Sequence, residues 1–302
     1  MHIPILLKES IDSLNLQKGD TVVDCTTNRG GHSLEMAKRI KKDGILICLD
    51  LDNQALKEAE TFLKKELKND IPKIFFINEN FRHIKQVLEN LGVEKIDGLM
   101  ADLGVSSEEI DESGRGFTFQ KDEPLIMTLQ DKVNEESLTA EKILNTWEEE
   151  NLADIIYYYG DERYAKRIAR NICEERKSKK IKTTFDLVNI IEKSVPENYK
   201  RQKIHFATKT FQALRITVND ELRAEEELIQ TLPNILKNNK RASFLTFHSG
   251  EDRILKNTVK SLKEELKLIK FENKKDFLEP ERKEVLGNPR SRSAKLRVVE
   301  KK

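Results

Sequence analysis

Three aspartates and one glycine pair are the residues of this sequence best placed to do chemistry. Asp24 closes the apolar run "TVVD", and the segment that follows, "CTTNRGGHS", carries Gly30, Gly31 and His32 into a helical pattern. Asp50 closes a second apolar run, "GILICLD", twenty residues beyond Gly30. At that spacing an acidic side chain at a strand end can accept hydrogen bonds from ribose hydroxyls. Asp102 closes a later run, "IDGLMAD". The first loop has neither G-x-G-x-x-G nor the G-K-[ST] ending of a P-loop, so a diphosphate cradle of either standard kind is not expected.

A nucleoside-containing ligand without a diphosphate fits these residues, and S-adenosylmethionine is the commonest one. The helix that starts at Gly31 would offer backbone N–H groups to its methionine carboxylate. Gly30 and Gly31 would let the backbone come close to it. The competing readings are plain: a tight turn for the glycines, an exposed strand end for Asp50. Further polar residues cluster in "ADLGVSSEEID" (Ser106, Ser107), in "FHSGEDR" (His248, Ser249, Asp252) and in "TFQALRITVNDE", where Arg215 and Asn219 stand i, i+4 and share a face. Here the competing readings are a helix N-cap at Ser249 and Asp252, a local cap or pair for Asn219, and ordinary satisfied histidines at His32 and His248. There is no G-x-S-x-G, no context for an activated thiol at Cys25, and no H-E-x-x-H or C-x-x-C spacing. A nucleophile triad is therefore unsupported, and no metal is expected.

The elements that must position these residues follow from hydrophobic periodicity. "TVVDCT", "GILICLDLD", "KIFFIN" and "KIDGLMADLG" read as buried strands, and "HSLEMAKRIKK", "NQALKEAETFLKKELKN" and "FRHIKQVLENLG" as helices between them, Asn53 capping the second. Near-continuous apolar strands joined by amphipathic helices imply a parallel sheet covered on both faces. From Ser106 to His205 the patterns are all helical, and "ATKTFQALRITVNDELRAEEELIQTLPNIL" continues as a long helical stretch. "RASFLTFHS", "LKLIKFE" and "AKLRVVE" then restore strands. The organisation expected is an α/β domain over 1–107 and 206–302, interrupted by a helical insertion over 108–205.

A chain of 302 residues suffices for a substantial core. The net charge of +1 conceals an uneven distribution: from Arg163 to Lys182 there are nine Lys/Arg against two Glu, and from Arg282 to Lys302 eight against two. Clustered basic charge suits a nucleic-acid backbone, with a solvated helix face as the alternative. No apolar run approaches a membrane span, and "MHIPILLKES" is a poor signal peptide. Three widely spaced cysteines, Cys25, Cys48 and Cys173, suit a reducing, cytoplasmic setting.

In order along the chain, "HIPILL", "RGGHS", "LDLD", "IDGLMADLGVSS", "GRGFTF", "YGDERYAKRIARNI", "ATKTFQALRITVNDEL", "FHSGEDRI" and "NPRSRSAKLRV" resemble the bacterial 16S ribosomal RNA cytosine-N4 methyltransferases, the RsmH or MraW family. The resemblance implies a class I methyltransferase (Rossmann-like) sheet with an inserted all-helical domain for RNA recognition. It implies methyl transfer from S-adenosylmethionine to the exocyclic amine of a cytidine in the decoding region of the small subunit. Carried over by motif, Gly30, Gly31, His32, Asp50, Phe81, Asp102 and Glu109 would contact the cofactor, with Asp102 catalytic. Arg115, Arg163, Arg167, Arg215, Asn219, His248 and Ser249 would face the RNA. The partner implied is 16S rRNA or the small ribosomal subunit, with no membrane and no DNA; monomer and homodimer both stay open. The chain departs from the family pattern where Cys25 and Asn28 replace glycines, Glu109 replaces Gln, "PLIMTLQ" replaces P-L-D-M-R-M-D, Gly250 replaces Leu and Phe206 replaces Pro. Asn tolerates left-handed backbone, so the loop at Asn28 is expected to keep its turn. Two alternatives stay open on these departures: a divergent paralogue acting on another RNA or a small substrate, and a non-catalytic RNA- or ribosome-binding protein on the same scaffold.

Overall fold

A computed structural model of the protein describes residues 4–130 and 133–302. His2 and Ile3 of the "HIPILL" motif lie outside the described residues, as does the side chain of Ser107. The chain divides into two compact units, Met1–Gly104 with Leu222–Lys302, and Val105–Glu221.

In chain order the elements are α1 (Leu7–Ser13), β1 (Thr21–Asp24), α2 (Gly31–Ile40), β2 (Ile45–Asp50), α3 (Asn53–Glu66), β3 (Lys73–Asn78), a 3-10 turn (Phe81–His83), α4 (Ile84–Asn90) and β4 (Ile96–Asp102). The second unit carries α5 (Ser107–Glu112), α6 (Ala140–Thr146), α7 (Glu149–Tyr158), α8 (Ala165–Ser178), α9 (Thr184–Ser194), α10 (Glu197–Lys200) and α11 (Thr208–Asn219). The chain then returns through α12 (Glu221–Ile235), β5 (Leu236–Thr246), α13 (Ser249–Ser261), β6 (Leu266–Leu268), α14 (Arg282–Gly287) and β7 (Lys295–Lys301).

The seven strands of the first unit form one sheet in the order β3-β2-β1-β4-β5-β7-β6. The first five are parallel, and β7 runs antiparallel to both β5 and β6. This is the doubly wound order with a reversed strand at its far end, the sheet expected of a class I methyltransferase. Side chains alternate across it. Val23, Ile47 and Leu49 join one apolar layer with Leu88, Leu228, Leu232 and Val259. Val22, Leu46 and Cys48 join the opposite layer with Leu34, Met36, Ile40, Leu56 and Leu63. α2 and α3 thus cover one face, and α4, α12 and α13 the other. Each fully buried Val or Leu contributes roughly 1.5–3 kcal/mol, and the central stretches Val22–Val23 of β1 and Ile45–Leu49 of β2 carry no charged residue before Asp24 and Asp50. Successive strands run outward from β1 in both directions, so the topological switch lies between β1 and β4.

Among its described residues the second unit pairs backbone as sheet only at an isolated bridge, Pro124 to Thr183. Thr139 caps α6, and Thr183 with Asp186 closes a capping box on α9. Among the described residues no helix is long and apolar enough to cross a membrane.

Element boundaries differ from the sequence reading where a local backbone feature decides them. Asp52, not Asn53, caps α3, its carboxylate accepting the N–H groups of Gln54 and Ala55 at 2.7 and 3.1 Å. The long helical stretch from Ala207 breaks at Asp220, which takes a left-handed conformation (φ 50°) between α11 and α12. β5 begins as early as Leu236 and so takes in "LKNNK", paired at Leu236 with Ile96. α11 belongs to the compact unit that ends at Glu221, whereas the sequence boundary for the insertion was 205.

Candidate active site

Strand register brings the aspartates together. Asp24 of β1 pairs in level with Cys48 on one side and Met100 on the other, so Asp50 and Asp102 each lie two residues beyond it. Side chains alternate along a strand, so the even count places all three carboxyls toward one face, the face covered by α2 and α3. The loop between β1 and α2 is laced to this edge. The Cys25 N–H donates to the Met100 carbonyl at 2.8 Å and the Thr27 N–H to the Leu49 carbonyl at 2.9 Å. Asn28 is left-handed (φ 47°), as expected, and its N–H donates to Asp50 Oδ2 at 2.7 Å.

The glycines are required by the chain's own packing. Gly30 has φ 82°, and a Cβ there would lie 3.3 Å from Ala59 Cβ on α3. A Cβ on Gly31 would lie 2.3 Å from Pro4 Cγ. The close approach read from "RGGHS" is therefore made to α3 and the N-terminal segment. Among the described residues no side chain caps α2, and its first turn holds no acid, so the positive end of its dipole faces the loop uncompensated by a carboxylate of that turn.

Burial sets the electrostatics. Asp24 is fully buried and its carboxyl is pushed up to about 6, held from rising further by the Ser33 hydroxyl at 2.6 Å and the Thr26 N–H at 3.3 Å. Burial also pushes Asp50 up to about 6, against the lowering effect of the Asp52 and Asn28 N–H groups at 2.9 and 2.7 Å. Asp102 rises furthest, to about 8, by burial first and then by the negative charges of Asp24 and Glu251. The Asp102 N–H donates to Thr26 Oγ1 at 2.6 Å. Its own Oδ1 is buried and has no hydrogen-bond partner among the described residues. A row of desolvated carboxyls on one strand edge is a place where a cationic ligand gains strongly, because it returns those acids to the charged form. Cys25 packs in the core and its thiol is pushed well up by burial, so it is no nucleophile.

His32 is buried on α2, bonded to the Ile5 backbone and pushed down to about 4 by desolvation, so it is neutral. Its Nε2 has no partner among the described residues. Phe81 opens the 3-10 turn after β3 and packs half-buried against the core. Beyond β5 the cap differs from expectation. His248, rather than Ser249 with Asp252, closes α13: Nδ1 accepts the Glu251 N–H at 3.3 Å, and Glu251 Oε2 accepts the N–H groups of Phe247 and His248 at 2.6 and 3.3 Å. A Cβ at position 250 would come within 3.0 Å of the His248 ring, so Gly250 in place of Leu makes room for this cap. Asp252 instead takes Arg297 at 2.6 Å and Lys295 at 3.3 Å. The signal for His248 was present as H-x-x-E, a capping-box spacing with an unusual first residue.

The remaining expected residues lie in the second unit. Glu109 completes a capping box with Ser106, its Oε2 accepting the Ser106 N–H at 2.7 Å. Arg115 lies 5.8 Å over Phe117, and its carbonyl accepts the Met127 N–H at 2.7 Å. Arg163 and Arg167 are exposed. Arg215 grips Glu221 with a forked pair, Nε to Oε1 at 2.9 Å and Nη2 to Oε2 at 2.8 Å. Asn219 accepts the Leu129 N–H at 2.8 Å and donates to the Met127 and Arg215 carbonyls at 2.8 and 2.9 Å; the Arg215 bond is the local pairing of the competing reading, while the other two reach a distant segment of the chain. It thereby fixes the backbone of "PLIMTLQ". Phe206 stacks on His205, which stacks on Phe119, so the departure from Pro extends an aromatic cluster.

The whole chain, residues 1–302, matches the model of the MraW methylase family. The chain belongs to that family. Three relatives carry the name ribosomal RNA small subunit methyltransferase H. That of Finegoldia magna is 44% identical over 314 residues, spanning 99% of this chain and 98% of the relative. That of Clostridium botulinum strain Kyoto is 42% identical over 314 residues, and that of Clostridioides difficile strain 630 is 40% identical over 317, with the same coverage. The expected enzyme class, a methyltransferase, and the expected donor, S-adenosylmethionine, agree with this family.

Proposed function

We propose that this protein transfers a methyl group from S-adenosylmethionine to the N4 amine of a cytidine in 16S ribosomal RNA, in the decoding region of the small subunit. The observation that carries the reading is the carboxyl of Asp102 at the switch point of the sheet, buried and with one oxygen unpartnered among the described residues, in a chain of a methylase family.

The donor supplies an activated methyl group on a sulfonium cation. Asp50 holds the ribose, since each carboxylate oxygen keeps acceptor capacity beyond the N–H groups of Asn28 and Asp52. The N-terminus of α2 takes the methionine carboxylate, and Phe81 packs on the adenine. The cytosine amine is a weak nucleophile because its lone pair is conjugated with the ring. Asp102, ionised, orients it, accepts its hydrogen bond as it loses planarity and takes the proton the nitrogen sheds when the N–C bond forms and the S–C bond breaks, leaving the neutral thioether of the donor as the leaving group. The target base leaves its stack to reach the pocket, and the second unit recognises the RNA around it. Within that unit the exposed Arg163 and Arg167 hold phosphates, while Asn219 braces the backbone at Met127 and Leu129 and Arg215 pairs with Glu221. Asp102→Ala abolishes methyl transfer while leaving RNA affinity as in wild type, measured by labelled-methyl incorporation and by fluorescence anisotropy. Normal turnover by that variant would remove Asp102 from the chemistry.

A further inference from the structure

Three consecutive tyrosines close α7, the third as its C-cap, and all remain in solvent: Tyr157, Tyr158 and Tyr159 are 55%, 62% and 37% exposed. Adjacent aromatic rings left in water mark a binding surface more often than a structural need. The Tyr157 and Tyr158 rings meet edge to face at 5.1 Å. The turn behind them is closed and held. The Glu162 N–H donates back to the Ile156 carbonyl at 3.3 Å. Gly160 lies against α11 so closely that a Cβ would come 2.5 Å from the Lys209 carbonyl oxygen. Two α11 side chains grip the turn's own carbonyls, Lys209 Nζ at Asp161 (2.7 Å) and Gln212 Nε2 at Tyr159 (3.2 Å).

Arg163 follows immediately, exposed, with its guanidinium 4.9 Å over the Tyr164 ring and 5.0 Å over the Tyr199 ring. Tyr199 is fixed in turn by its hydroxyl on the buried Glu162. Lys166, Arg167 and Arg170 are exposed on α8 beyond it. The acids nearby in sequence are Asp154, one turn earlier on α7, Asp161 in the turn itself, and Glu162, which is buried. Glu149 lies 3.8 Å from Arg170. A polyanion is therefore drawn to the α8 side of the rings.

We propose that this turn is a stacking platform for unpaired bases of the RNA substrate. Tyr157 and Tyr158 take bases against their faces, while Arg163, Lys166 and Arg167 hold the flanking phosphates. The proposal rests on the reading of the protein as an RNA methyltransferase. Stacking on aromatic side chains is worth enough per base to dominate single-strand binding, and a rigidly held platform loses little freedom on binding.

The test uses the full-length protein, a short fluorescein-labelled single-stranded oligoribonucleotide and the same sequence as a duplex. The double variant Tyr157→Ala/Tyr158→Ala loses about tenfold or more in affinity for the single strand. Its duplex affinity, the salt dependence of binding and S-adenosylmethionine affinity stay as in wild type. Tyr157→Phe/Tyr158→Phe keeps the single-strand affinity, since the ring alone is needed. Arg163→Gln independently lowers the slope of log affinity against log salt by about one. Undiminished single-strand binding by the alanine variant overturns the proposal, as does an equal loss on the duplex. A loss confined to assembled small subunits, absent on naked RNA, assigns the rings to a ribosomal protein and also overturns it. Failure of the wild-type protein to bind any RNA would instead overturn the functional reading beneath it.

Discussion

Asp102 concentrates the account at the scale of a single residue. Its carboxyl titrates near 8 in the folded protein and in the ordinary carboxylate range when unfolded. Between those values the folded state holds a proton that the unfolded chain has released, so stability is full at low pH and is lost as pH rises through about 8. Asp24 and Asp50 add the same sign of dependence near 6. The melting temperature of the ligand-free protein therefore falls between about pH 5 and about pH 8. Asp102→Asn removes the upper part of that fall and, on the order of 1 kcal/mol, raises the melting temperature near pH 8 by about 2 °C. Scanning calorimetry across this range checks it; superimposable profiles for variant and wild type would show the buried carboxyl to be ionised without cost. Residue identity made Asp24, Asp50 and Asp102 legible because each ends an apolar run. It did not reveal that Asn219 holds the fold, because its partners Met127 and Leu129 are found by backbone path rather than by type, whereas the caps at Glu109 and His248 were present as S-x-x-E and H-x-x-E spacings that were not read as caps.

At the scale of elements the parallel strands were readable because their side chains are buried on both faces and leave apolar runs with no alternation. What escaped the periodicity were the stops. Asp220 ends α11 by adopting left-handed backbone, and the chain is split after Thr146 by the extended Trp147. Neither interrupts an apolar stripe, so neither shows in a pattern of hydrophobic residues. The start of α2 illustrates the converse. Its glycines were legible as a close approach, and the chain's own partners in that approach are Pro4 and α3, which the sequence pattern did not name. Gly31→Ala accordingly forces its new methyl against Pro4 and destabilises the first unit by about 1–3 kcal/mol in urea unfolding. Unchanged stability would mean that the N-terminal segment shifts away freely.

At the scale of the whole molecule, a nearly neutral chain separates its charges: carboxyls gather at the edge of the sheet, cations along α8. The parallel strands and the two-sided core follow from the hydrophobic pattern, and the aspartates at the strand ends from residue type; the strand order does not show in that pattern. The choice of a cytidine amine does not, since no side chain in the strand-edge row distinguishes one nucleobase from another; that part rests on motif resemblance and on family membership. The most direct test of the central claim is to incubate the protein with labelled S-adenosylmethionine and small subunits lacking the modification, then to identify the labelled nucleoside. The expected product is N4-methylcytidine at one position of 16S rRNA in the decoding region. Label in any other nucleoside, or none despite saturable donor binding, would contradict it.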